Sequence, residues 1–314
     1  TGDSSEVKIA LKNKDTEFQT VQVFDEVVTI PKLAKDFDKE IEISRDVFVK
    51  GKDKTFFAIG GDYNRELFLY WALRVDKDKA RFISGNAARF AIIDFEGDSF
   101  LKSSGKAEFL FPKEQTDVIA SILAEQNVDK VAIKQAKHNK DIPDQIIFDA
   151  GQIQIVLVAF DPSVRYVDEN KVLDDTKCIH FTTTVDDWVY ATKGMLATYT
   201  EEYKSQNDVF PAKLHVDLGK KQMVLKTDTP LKANREIPIT SIISNSSDSD
   251  TLVLKCAGKY LSEIPTYSNK EAEVHFLADS PGKPVFIRHL EHDNQVQGIK
   301  ESFMTFFALL DPDD

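Results

Sequence analysis

A whole supersecondary unit occurs twice in this chain, and that repetition constrains the fold more than any other feature of the sequence. Residues 252–288 read LVLKCAGKYLSEIPTYSNKEAEVHFLADSPGKPVFIR. The pattern predicts a strand, a short helix carrying Tyr260 and Leu261, and a polar turn. A strand over Glu273–Leu277, a turn at Pro281-Gly282 and a strand over Pro284–Arg288 follow. Residues 107–158 run in the same order. AEFLFP leads into a helix with Val118, Ile119, Ile122 and Leu123 as its apolar stripe, and strands follow at Val131–Lys134, Gln145–Asp149 and Gln152–Phe160. Pro112 stands at the start of that helix, where its missing N–H costs nothing.

Each block is the second half of a longer unit. In the first unit, about Glu40–Asp161, Ser44 is a plausible N-cap for a helix to Ile59, closed by Gly60-Gly61. Strands are expected at Glu66–Val75 and Ala80–Ile83 around an Asp76–Lys79 turn, then in SGNAARFAIIDF. The second unit, about Lys177–Leu310, repeats the order. A strand over Cys178–Thr182 leads to a helix over Val185–Tyr203, with Trp188, Ala191, Met195 and Tyr199 near helical spacing. Strands at Lys213–Leu218, Met223–Asp228 and Arg235–Ile243 precede the repeated block and a terminal strand, Ser302–Leu310. Groups of sequential strands broken by single helices argue an α+β fold and not a doubly wound parallel sheet. Residues 1–33 hold two short strands, Val7–Leu11 and Phe18–Val23, too little for a domain. The expected division is 1–38 as an N-terminal hairpin or the tail of a first domain, 39–165 and 177–314 as two domains, and 166–176 as a connector.

Several function classes lack their signatures. No apolar run approaches the roughly 18 residues that span a membrane, and TGDSSEVKI does not read as a secretory signal. Cys178 and Cys256 are too few for a disulfide framework and fit a reducing cytoplasm. His289-x-x-His292 has no further ligands near it for zinc. Asp186-Asp187 and Glu201-Glu202 are adjacent helical pairs whose members face different ways. No phosphate loop or nucleophile elbow is present. The expectation is a protein without catalytic activity, cofactor or metal. A net charge of −12 argues against a uniformly basic nucleic-acid binder, but with 40 Lys and Arg it is their distribution over the faces that decides.

Four stretches in order carry a family resemblance. DYNRELFLYWALRV (62–75) is similar to an Asp-x-x-Arg stretch and the strand after it; ARFISGNAARFAIIDF (80–95) to a Thr-Asp-Gly-His-Arg-Leu-Ala turn and strand. EFLFPKEQTDVIASIL (108–123) is similar to a helix opened by Pro and a basic residue; the block 252–288 with SFMTFFALL to the end of a last domain. Together they resemble the bacterial DNA polymerase III β subunit, the DNA sliding clamp, with 40–310 as its middle and last domains. Asn86-Ala87-Ala88-Arg89 keeps only the Arg of the family's turn, and the chain ends in TFFALLDPDD where the family has Met-Pro-Met-Arg-Leu.

The resemblance implies repeated clamp domains, each with two helices on an inner face and antiparallel sheets outside. It implies a processivity factor that encircles duplex DNA without reading sequence. It also implies a homo-oligomeric ring: a dimer if a first domain is missing here, a trimer if not. Such a protein is cytoplasmic and nucleoid-associated, away from membranes. DNA-facing candidates are Lys50, Lys52, Lys54, Lys102, Lys106, Lys113, Lys193 and Lys259. A hydrophobic groove for short peptide motifs of DNA polymerase and clamp loader would be lined by Gly85, Asn86, Arg89, Phe90, Leu157, Val172, Phe306, Phe307, Ala308, Leu309 and Leu310. Tyr260 and Leu261 are expected as core anchors. The rival reading is a clamp-like scaffold that never closes on DNA.

Overall fold

A computed structural model describes residues 5–10, 18–23, 33–60, 66–86, 89–137, 144–158, 166, 168, 179–200, 211–227, 232–246, 249–262, 273–278, 285–290 and 299–307. Strands β1 (Ser5–Ala10) and β2 (Phe18–Val23) pair as an antiparallel hairpin. The first repeat unit then runs β3 (Phe37–Ser44), α1 (Arg45–Thr55), β4 (Tyr70–Asp76), β5 (Lys79–Gly85), β6 (Arg89–Glu96) and a short β7 (Leu101–Ser103). Its second half is β8 (Ala107–Pro112), α2 (Lys113–Glu125), β9 (Lys130–Ala136), β10 (Gln145–Ala150) and β11 (Ile153–Val158). The second unit repeats this as β12 (Ile179–Thr184), α3 (Val185–Leu196), β13 (Pro211–Asp217), β14 (Gln222–Thr227), β15 (Asn234–Pro238) and β16 (Ser241–Asn245). It finishes with β17 (Thr251–Ala257), α4 (Gly258–Ser262), β18 (Glu273–Ala278), β19 (Val285–Leu290) and β20 (Lys300–Phe307). The fold is α+β, and every described strand pairing is antiparallel.

Within each unit the two halves exchange their first strands. The meander β4–β5–β6 is completed by β8 from the other half, and β9–β10–β11 is completed by β3. In the second unit β17 joins β13–β14–β15, and β12 joins β18–β19–β20. The two units then fuse: β20 pairs with β6 over eight residues, from Lys300 opposite Glu96 to Phe307 opposite Arg89. One nine-stranded sheet results, in the order β16-β12-β18-β19-β20-β6-β5-β4-β8.

The helices of both units lie on one face of this sheet. Directly opposed residues share a face, and one such row runs Phe181–Phe276–Ile287–Thr305–Ala91–Ser84 across the junction. At one end Trp188 of α3 packs on Phe276, with ring centroids 4.9 Å apart. At the other, the Ser84 hydroxyl donates to the Thr55 carbonyl that ends α1. Helix α2 lies beside α1 and α4 beside α3, where Trp188 Nε1 donates to the Leu261 carbonyl at 3.3 Å.

The core of the first unit centres on Phe48 of α1, whose ring makes edge contacts with Trp71, Phe82, Phe111 and Phe148 at 5.2–6.1 Å. One turn on, a Cβ at Gly51 would stand 2.4 Å from Phe82 Cδ2, so glycine is what lets α1 approach the sheet. The buried polar groups here satisfy each other: Trp71 Nε1 donates to Thr55 Oγ1, which donates to the Gly51 carbonyl, both at 2.7 Å. Trp188 takes the place of Phe48 in the second unit, against Phe276 stacked on Phe181.

Sequence and structure differ at element ends. Helix α1 stops at Thr55 and continues as one 3-10 turn, Phe56–Ala58. Ser44 occupies its N-cap without a side-chain cap bond, whereas Thr184 caps α3 by accepting from the Asp187 N–H at 3.1 Å. Helix α3 stops at Leu196, not Tyr203, and Glu66–Leu69 form a 3-10 turn before β4. The expected single strand Arg235–Ile243 breaks at Ile239-Thr240: β15 pairs with β14, and β16 pairs with β12 in a different sheet. The expected loop before α2 contains β7, paired with β3.

Two substitutions test this packing. Phe48→Ala is expected to lower unfolding free energy by about 3–5 kcal/mol in urea titrations. Gly51→Ala is expected to destabilise by about 1–3 kcal/mol, despite alanine's better helix propensity, because the added methyl meets the Phe82 ring.

Candidate functional site

The junction of β6 and β20 creates two candidate surfaces, one on each face of the long sheet. On the face away from α1 and α3, a row of opposed residues runs Gly85–Phe90–Phe306–Phe286–Leu277–His180. The row therefore crosses both units. Gly85 closes β5, and a Cβ there would stand 2.3 Å from Phe90 Cδ1, so the Phe90 ring lies directly over it. Phe68 meets Phe90 edge to face at 5.9 Å. The β5–β6 turn is held from both sides: Asn86 N donates to the Arg89 carbonyl at 2.8 Å, and Arg89 N donates to Asn86 Oδ1 at 2.9 Å.

Arg89 connects the two units. Its side chain is buried at 7% exposure. Nη2 donates to the Phe57 carbonyl at 2.6 Å, and the guanidinium lies 5.5 Å from the Phe57 ring and 4.5 Å from the ring of Tyr260. Tyr260 belongs to α4, so this cation–π contact spans the junction. Loss of solvent pushes the Arg89 pKa below its ordinary value, and the neighbouring Tyr260 partly opposes that shift.

Of the sequence-predicted groove residues, the structure brings Gly85, Asn86, Arg89 and Phe90 together at this turn and sets the Phe306 and Phe307 positions opposite Phe90 and Arg89. Leu157 is buried in the same hydrophobic core as Phe90. Val172, Ala308, Leu309 and Leu310 lie outside the described residues. Two residues at this place were missed. Tyr260, expected as a core anchor, is half-buried and covers Arg89, while its neighbour Leu261 is the core residue. Tyr166 is fully buried beside Gly85, Arg74 and Glu108, and its burial pushes the phenol above its ordinary range. The Lys259-Tyr260-Leu261 run is the signal that could have found Tyr260.

On the helix face the candidate lysines divide by what holds them. Lys50 pairs with Glu301 of β20, and Lys52 pairs with Asp117 of α2. Lys113 Nζ donates to the Gly60 carbonyl at 2.9 Å. Lys54 borders a shallow hollow between α1 and α2 with Arg45, Lys50, Asp46 and Asp53. Lys193 on α3 and Lys259 on α4 are exposed. Lys102 is exposed on β7, and Lys106 is paired with Asp76 at 3.2 Å, away from the helices. The four helices carry seven basic and seven acidic residues, against −12 for the whole chain.

Lys50–Glu301 is a second bridge between the units, because α1 belongs to the first and β20 to the second. The Glu301 side chain is only 7% exposed, and the ion pair offsets part of the cost of burying it. A further row, Ser302–Asp94–Arg81–Arg74–Glu108, crosses the sheet and lines a cleft of about 800 Å³. Its charges are matched internally: Arg81 holds Asp94 through two bonds of 2.6 and 2.7 Å, and Arg74 holds Glu108 at 2.6 Å. Among the described residues no group of three or more His, Cys, Asp or Glu is placed to hold a metal ion, and no helix is long and apolar enough to cross a membrane.

Comparison with known proteins agrees on architecture. No family model and no curated protein matches the sequence. Among solved structures, the DNA polymerase III β subunit of Thermotoga maritima superposes with a TM-score of 0.74 at 12% identity, over 99% of this chain and 75% of that one. The β subunit of Pseudomonas aeruginosa gives 0.73 at 14% identity, over 99% and 78%. The DNA polymerase sliding clamp of Bacillus subtilis gives 0.70 at 12% identity, over 94% and 70%. The chain has the sliding-clamp fold.

The junction is testable without any ligand. Gly85→Ala is expected to cost about 1–3 kcal/mol in urea unfolding, since the Phe90 ring must move off the turn. A double-mutant cycle of Lys50→Met and Glu301→Gln is expected to give a coupling energy of about 1 kcal/mol, whereas additive single effects would mean the pair is not formed in solution.

Proposed function

We propose that this protein is a DNA sliding clamp, a processivity factor that encircles duplex DNA and tethers replication and repair proteins through the groove at the β6–β20 junction. The observation that supports this reading best is the continuous nine-stranded sheet, with the helices of both units on one face. On this reading the units are clamp domains over 39–165 and 177–314 joined by 166–176, and the helices face the duplex. No bond is made or broken. The helix face needs only a weak, sequence-independent attraction to phosphates. Equal numbers of basic and acidic residues suit it, because a strongly basic lining would hold the duplex in place. Lys193 and Lys259 are the lysines best placed to touch phosphates; Lys50, Lys52 and Lys113 serve the protein first.

Ring closure follows from the repeat. In the junction seen here, the third meander strand of one unit, β6, pairs with the last strand of the next, β20. The equivalent edges elsewhere are β15 and β11, at the ends of their sheets. A ring closes when β15 takes an edge equivalent to β20 from another chain. Six units would make the ring a dimer if each chain carries a further unit, and a trimer if it does not. The cell compartment for such a ring is set by the DNA it encircles, in the cytoplasm.

The groove would take short hydrophobic peptides of DNA polymerase and clamp loader. Phe306 and Phe307 stand where a terminal methionine strand is usual in the family, so aromatic surface would change which peptides it prefers.

Retention on DNA tests the proposal. The protein loaded on nicked circular DNA should stay through gel filtration and be lost once the circle is cut. Equal loss from circular and linear DNA would leave the scaffold reading. Charge reversal of Lys193 and Lys259 together is expected to shorten retention several-fold with an unchanged thermal midpoint.

A further inference from the structure

We propose that His180 and His275 form a one-proton latch that makes the junction between the two units sensitive to acid. His180 lies on β12 and His275 on the neighbouring β18. His180 Nε2 and His275 Nδ1 are 2.9 Å apart, with ring centroids 5.2 Å apart and planes tilted by 50°. A contact this short between two imidazole nitrogens needs one N–H and one lone pair. The native geometry therefore holds a single proton between the facing atoms. Charging both rings would put a proton on each facing nitrogen, setting two N–H bonds head to head and two cations in contact, and the hydrogen bond would be lost.

A carboxylate stands beside one of the two rings. His275 Nε2 stands 3.7 Å from Glu273 Oε2, so the carboxylate can balance an imidazolium at His275. Thr182 Oγ1 is 3.4 Å from the other Glu273 oxygen. Ser244 is opposite His180 across the β12–β16 pairing, and Arg288 is opposite His275 across β18–β19. Glu273 is the acid among these positions.

The latch matters to the junction through Leu277. This residue is opposite His180 and two positions beyond His275 on the same strand. It is buried in the hydrophobic core of the first unit, although it belongs to the second. His180 thus continues the row Gly85–Phe90–Phe306–Phe286–Leu277 by one place. Separating the rings would move the strand pair that carries Leu277 into its neighbour.

The sign of the effect follows from counting protons. Below about pH 6.5, the ordinary imidazole value, the unfolded chain takes a proton on each ring while the native pair takes one. The unfolded state then binds more protons, so stability falls as pH falls through this range. Thermal unfolding of the full chain at pH 7.5 and pH 5.5 tests this in the wild type, His180→Gln and His275→Gln. The wild type should lose roughly 3–6 °C more than either variant between the two pH values, since the other histidines are common to all three. Parallel losses would overturn the latch. If neither variant folds, imidazole nitrogen NMR of the wild type decides. One protonated facing nitrogen at pH 7.5, with Leu277 methyl shifts moving as the second is protonated, supports the proposal. Independent protonation of both rings with unmoved Leu277 methyls overturns it.

Discussion

The eight-residue ladder between β6 and β20 is the interaction on which the rest of the structure depends. Each unit has its own hydrophobic core, but only this pairing turns two sheets into one and brings the helices of both units to a common face. It also makes the crease on the opposite face, where Phe90 and Gly85 from one unit meet the Phe306 and Leu277 positions from the other. The ladder is reinforced by side chains on the helix side, Lys50 with Glu301 and Arg89 with Tyr260. Backbone bonds set the register of the junction, and these two charged contacts hold the adjoining helices to it.

The fold was legible where its signals are local. Alternating apolar residues, the helix openings at Ser44 and Pro112, and the recurrence of one strand–helix–hairpin block were enough to assign the architecture. The failures share a cause. Residues 234–245 look like one strand by their apolar alternation, and the mark of the corner at Ile239-Thr240 is Pro238, which cannot donate to a ladder; two different sheets recruit the two ends. β7 is three residues long and exists only because β3 offers an edge. The groove turn at Gly85–Phe90 was readable since its residues are neighbours in the chain. Glu301 and Tyr260 were not, because their partners Lys50 and Arg89 lie far away in sequence. Spacing alone cannot distinguish a lysine that faces solvent from one committed to a buried carboxylate.

Charge is distributed in a way that the total conceals. The described helices are balanced, so the acidic excess of the chain lies outside them. A polyanion approaching the helix face meets little repulsion there, while the remaining surface turns it away. The internally matched charges of the Arg74–Arg81 cleft fit the same pattern: they tie strands together and leave little field outside.

The exchange of first strands between halves reaches beyond the finished structure. A β4–β5–β6 meander emerging from the ribosome lacks β8, and β3 must wait for β9, which follows the whole first half. Neither half can complete a sheet by itself, so the smallest cooperative folding element is an entire unit. Contacts of such long sequence separation slow folding and keep apolar edges open for longer. The same interlacing means that, once folded, no half can peel away without breaking both sheets of its unit.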